Sequence, residues 1–117
     1  MGYRSDVIVI IHKEIIPEWM QHLCQYEKAR ELVFQDRDHS DTNFNNEGHL
    51  LYRWTNVKWY DIYCEVQEIN EFLSKAEPDK FRFVRAGEEG EDTETQGYLL
   101  EDRVYPVVSN YIALDSF

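Results

Sequence analysis

The order and spacing of the apolar residues predict an α+β fold: two helices packed on one face of a mixed or antiparallel sheet of four to five strands, a two-layer sandwich. Three observations carry this. Val7 to Ile11 is an unbroken run of β-branched residues, two longer segments repeat their apolar residues at helical spacing, and the short stretches between and after them alternate with the period of a strand. The element order strand, helix, strand, helix, strand, strand is packed most economically with both helices on one side of the sheet. At 117 residues the chain has the length of one ordinary domain, and residues 1–117 are expected to form a single compact domain. With 43% hydrophobic and 15% aromatic residues it is too apolar for a disordered chain, despite a net charge of -11.

Val7–Ile11 suits an interior strand covered on both faces and belongs at the centre of the sheet. Pro17 fits the first turn of a helix in which Ile16, Trp19, Met20, Leu23, Tyr26, Arg30 and Val33 recur, running to about Phe34. The polar segment "QDRDHSDTNFNNEG", Gln35 to Gly48, is expected to be a loop. In "HLLYRW" Leu50, Tyr52 and Trp54 alternate with Leu51 and Arg53 as a strand, and Asn56 marks a turn or bulge before "VKWY". Asp61 is placed to cap a second helix, whose stripe is Ile62, Val66, Ile69 and Leu73, widened by Phe72 and Ala76 and closed by Pro78. "KFRFVRA" is a further strand, and "YLLEDRVYPVVSNYIAL" supplies one or two more, with Pro106 placing a break or an edge. The predicted core is Val7, Val9, Ile11, Trp19, Leu23, Leu50, Tyr52, Val66, Ile69, Leu73, Phe81 and Phe83.

Charge is unevenly divided: residues 1–60 hold 9 acids and 7 bases, residues 61–117 hold 14 acids and 5 bases. An acidic chain lacks the basic face that phosphate binding requires, which argues against direct nucleic-acid binding and against anionic membranes. The opening "MGYRSDVIVIIHKE" holds only a five-residue apolar run, too short for a signal peptide, and no segment is long enough to span a membrane. Cys24 and Cys64 lie in the two predicted helices without metal or disulfide spacing, and are expected as small buried apolar residues with free thiols in a reducing cytoplasm.

Candidate chemistry is sparse. Asp36, Asp38, Ser40, Thr42 and Glu47 stand at places 1, 3, 5, 7 and 12 of a calcium-loop template, but Asp41 replaces its glycine and Asn43 its apolar residue. The segment is therefore expected to be a solvated loop with Asx turns, and no metal or other cofactor is expected. The four histidines, at 12, 22, 39 and 49, show no ligand spacing, and neither a serine elbow nor a phosphate loop is present. Aromatic and arginine side chains fall on neighbouring strands, and Arg53, Arg82 and Arg85 with Trp59 and Tyr60 form a candidate set for stacking a base and clamping a phosphate of a small nucleotide. In "AGEEGEDTETQG" the five carboxylates Glu88, Glu89, Glu91, Asp92 and Glu94 crowd into seven residues with no lysine or arginine among them. Such a run repels itself, stays hydrated and suits a surface that steers a basic partner better than a catalytic pocket.

The stretches "GYRSDV" at Gly2 to Val7, "KWYDIYCEVQEINEFL" at Lys58 to Leu73 and "FRFVRAGEEGEDTETQG" at Phe81 to Gly97 together resemble a recurrent group of small, uncharacterised tailed-bacteriophage proteins. The resemblance spans most of the chain and carries no catalytic motif. It implies a non-enzymatic accessory protein of the infected host's cytoplasm that binds and inhibits a host protein, such as a nucleic-acid-binding enzyme or a defence component. The acidic surface then serves as a partial mimic of nucleic-acid charge. Two other classes stay open: a module that sequesters a small nucleotide defence signal, and a small enzyme of unknown reaction. Association of the chain with itself is compatible with all three.

Overall fold

The computed structural model describes residues 3–89, 91–108 and 111–114. Five antiparallel strands form the main sheet in the order β2-β3-β1-β4-β5: β1 Ser5–Ile11, β2 His39–Phe44, β3 His49–Val57, β4 Phe81–Gly87 and β5 Thr93–Gln96. Three helices, α1 Ile16–Gln25, α2 Glu27–Phe34 and α3 Cys64–Lys75, cover one face. A two-stranded hairpin, β6 Val104–Val108 and β7 Tyr111–Leu114, packs on the other. The α+β fold with helices on one face of an antiparallel sheet is as the periodicity predicts.

β1 is central, with every residue buried, because its neighbours β3 and β4 pair with both edges while the helices and the hairpin cover both faces. Its odd residues Val7, Val9 and Ile11 join Trp19, Leu23, Leu50, Tyr52, Val66, Ile69, Leu73, Phe81 and Phe83 in the helix-side core, so all twelve predicted core residues lie there. Its even residues Ile8 and Ile10 meet Leu51, Phe44, Val84, Ala86, Val104 and Ile112 in a second core beneath the hairpin. Asn56, at φ 55°, sits in the predicted bulge, where Ser5 and Val7 of β1 face Val57 and Trp54 of β3.

Four expectations are corrected. The helix predicted to run unbroken to Phe34 stops at Tyr26, whose extended backbone (φ -128°, ψ 98°) separates α1 from α2. The buried set shifts from Trp19 and Leu23 to Ala29, Leu32 and Val33, and Arg30 caps the end of α1 by donating to the carbonyls of Leu23 (3.3 Å) and Cys24 (3.1 Å). The polar segment expected as a loop contains β2, an edge strand held by pairing of Ser40 and Asp41 with Tyr52 and Leu51 of β3. α3 begins only at Cys64 with no side-chain cap, so Asp61 lies in the preceding turn and Ile62 stands 81% exposed instead of on the stripe. Cys24 and Cys64 are free but exposed, since each lies at least 100° around its helix from a stripe residue that faces the sheet.

Candidate functional site

β4 ends at Gly87, and the acidic run turns the chain back into β5. The turn divides the five carboxylates into two groups. Asp92 and Glu94 fold inward onto Arg85: Nη2 donates to Asp92 Oδ1 at 2.8 Å, Nη1 to Asp92 Oδ2 at 3.2 Å and Nε to Glu94 Oε1 at 3.1 Å. The Tyr3 hydroxyl adds a 2.6 Å bond to Asp92 Oδ2 and accepts the Glu89 N–H at 3.0 Å. Arg85 and then Tyr3 hold the Asp92 carboxyl down at a pKa of about 2, while Asp92 raises the Tyr3 hydroxyl and the Arg85 guanidinium. Gly87 lies directly under this knot, where a Cβ would run into the Tyr3 hydroxyl and the Asp92 carboxylate. Arg85 thus answers two acids of a run that looks unanswered in sequence, because it stands across the ladder from Glu94.

Glu88, Glu89 and Glu91 form the second group and are exposed. Glu88 Oε1 accepts the backbone N–H of Arg4 at 2.8 Å, and the Arg4 guanidinium reaches the Asn56 carbonyl at 3.3 Å. These bonds tie the turn to the end of β3, from which residues 58–63 lead into α3 at the same end of the sheet. That connection carries exposed Ile62 beside the Tyr60 and Tyr63 rings, whose centroids are 5.2 Å apart. Its spacing puts Ile62 on the apolar stripe of the second predicted helix; only the late start of α3 releases it.

The arginine and aromatic candidates for a nucleotide pocket are not brought together. Arg53 and Arg82 point to the hairpin face. There Arg53 makes a two-bond pair with buried Asp6 (Nη2–Oδ2 2.6 Å, Nε–Oδ1 3.2 Å) and donates to the Ile112 carbonyl at 3.3 Å. Arg82 donates twice to the Val104 carbonyl at 3.1 Å and once to the Gly97 carbonyl at 2.8 Å, and its burial lowers its pKa. Both arginines therefore anchor the hairpin to the sheet. Trp59 lies on the opposite, helix side, packed between Trp54 and Phe83, and Tyr60 sits in the exposed connection.

The calcium-template residues are likewise dispersed. Ser40 and Thr42 lie in β2, Asp38 Oδ2 accepts the Thr55 N–H at 2.6 Å, and Glu47 Oε2 accepts from Asn45 at 3.1 Å and from His49 Nε2 at 2.9 Å. Asp36 is exposed just beyond α2. Among the described residues no group of His, Cys, Asp or Glu is arranged to hold a metal ion. Two histidines distant in sequence do meet: the His12 and His49 rings lie 4.5 Å apart, tilted by 42°, and each accepts a backbone N–H at Nδ1, from Glu14 and Lys13 respectively. Burial and the neighbouring His49 lower the pKa of His12.

Among the described residues no helix is long and apolar enough to cross a membrane. Comparison with protein-family models, curated proteins and solved structures gives no match to this chain.

Proposed function

We propose that the chain is a non-enzymatic phage accessory protein that works in the host bacterial cytoplasm by binding and inhibiting a host protein with a basic surface. The observation that carries this is the presentation of Glu88, Glu89 and Glu91. They stand exposed on a turn held in place by Tyr3, Asp92 and Arg85. Presenting three like charges together on a hydrated turn favours electrostatic steering of a cationic partner and is the basis of a partial mimicry of nucleic-acid charge. Ile62, Tyr60 and Tyr63 at the same end offer the apolar and aromatic contact that a charged rim needs beside it if the complex is to last. The resemblance of "GYRSDV" and of the acidic run to small phage proteins supplies the setting. A host nuclease or another defence enzyme that grips nucleic acid has the required complementary charge.

The test separates steering from holding. Affinity capture from infected-host lysate, with mass spectrometry of the retained proteins, identifies the partner. Kinetics are then measured with Glu88→Gln, Glu89→Gln and Glu91→Gln combined, leaving Asp92 and Glu94 in place because they hold the turn. The association rate should fall about tenfold and lose its salt dependence while dissociation changes little, since rim charges act mainly on encounter. Ile62→Ser should instead speed dissociation. Equal association of parent and neutralised protein across salt would reduce the turn to a solubility device and sink the proposal.

A further inference from the structure

At the end of the sheet opposite the acidic turn, an open groove of about 600 Å³ is lined by residues of α1, α3 and the segments that flank them. This lies within the range of about 300–1,000 Å³ typical of ligand sites. Its apolar lining comes from Ile15, Tyr26, Phe72 and Ala76, all only partly buried. The His22 ring spans it, with centroids 4.8 Å from Tyr26 and 5.4 Å from Phe72.

The polar lining is biased to one sign. Glu14, Glu18, Glu71 and Glu77 face two lysines. Lys80 pairs with Glu14 at 2.7 Å and Lys75 with Glu71 at 3.2 Å, while Glu18 and Glu77 form no ion pair among the described residues. Both pairs are exposed on at least one side, and exposed pairs are worth only about 0–1 kcal/mol, so they yield readily to an incoming cation. His22 is held across the groove by Nε2, which donates to the Glu68 carbonyl oxygen at 2.6 Å. The groove thus offers carboxylates around an aromatic floor.

We infer that this groove docks a basic, amphipathic peptide segment of another protein, its arginine or lysine side chains reaching Glu18 and Glu77 while a neighbouring apolar side chain lies on Phe72 and Ala76. The charge decides among occupants. An anionic ligand is repelled by the rim, a wholly apolar one strips water from four carboxylates without replacing it, and a second copy of a chain with net charge -11 brings more of the same sign. The site is separate from the acidic turn and does not depend on it.

The probe is the peptide acetyl-Leu-Arg-Leu-Arg-Leu-amide, titrated into isotope-labelled protein and followed residue by residue by NMR. Saturable shifts should centre on Ile15, Tyr26, Phe72 and Ala76 and weaken as salt rises. Glu18→Gln combined with Glu77→Gln should lower the affinity about threefold to tenfold with no change in the unfolding midpoint. Ala76→Arg, which fills the groove with its own guanidinium, should abolish binding. Neutralising Glu88, Glu89 and Glu91 should leave these shifts in place, so failure here and failure of the steering proposal are seen separately. The inference is overturned by any of four results: no saturation up to about 10 mM peptide, equal binding of the peptide with Glu in place of Arg, equal binding of arginine amide alone, or shifts confined to residues 88–94.

Discussion

The Asp6 side chain is 3% exposed and is bonded to the hairpin above it. Its carboxylate accepts two bonds from Arg53 and the Ile112 N–H at 3.1 Å, joining β1, β3 and β7 at one point. Replacing Asp6 by alanine removes all three bonds and leaves the Arg53 guanidinium, 16% exposed, with only part of its partners. Removing one member of a buried pair is destabilising by about 3–5 kcal/mol. That is comparable with what burying Val104 and Ile112 contributes, at about 1.5–3 kcal/mol each. Asp6→Ala should therefore free β6 and β7 from the sheet before the rest of the protein unfolds. Amide exchange at Ile112 and along β6 should speed up about a hundredfold to a few thousandfold, since every 1.4 kcal/mol is tenfold. The helix-side core, with Trp19, Trp54 and Trp59, should unfold later in urea as a separate transition followed by fluorescence. Arg53→Met, which keeps volume but strands the Asp6 carboxylate, should behave alike. The double variant should lose much less than the sum, leaving a coupling of about 2 kcal/mol or more. Single variants that each lose under about 1 kcal/mol, with Ile112 exchange unchanged, would show that the pair does not hold the hairpin.

Leu73→Ala should lower stability by about 2–5 kcal/mol in urea or thermal unfolding, and an unmoved midpoint would take α3 out of the core. Asp92 has its folded pKa depressed from 3.8 to about 2, so its contribution is present above 3.8 and is lost as pH falls toward 2. At full strength that shift is about 2.5 kcal/mol, but the side chain is 37% exposed and screening reduces it to about 1 kcal/mol. Asp92→Asn should thus be about 1 kcal/mol less stable than the parent at pH 7, and a gap that fails to close by about pH 2 would place the effect elsewhere. Iodoacetamide should modify both Cys24 and Cys64 in the folded protein, and protection of either would contradict their exposed positions.

The central strand, the helix-side core and the choice of helices over one sheet face were legible in the amino-acid sequence. A strand or helix that buries one face against a large apolar layer records that burial in its own period, as Val7, Val9 and Ile11 or Val66, Ile69 and Leu73 do. The acidic run was legible too, as composition. Edge strands leave no such record: β2 and β5 expose much of their surface, so His39–Phe44 and Thr93–Gln96 become strands only because β3 and β4 offer unpaired backbone beside them. The roles of the arginines were equally hidden, since a guanidinium finds its partners by proximity in space. Arg53 and Arg82 end on backbone carbonyls of the hairpin, and Arg85 on two acids that the sequence alone leaves unanswered. Local periodicity is set by which face of an element is dry, and the sequence by itself determines that. Which polar groups meet, which acids of the run stay exposed and where a groove opens beside α1 and α3 depend on contacts between residues far apart in the chain, and only the tertiary structure decided them.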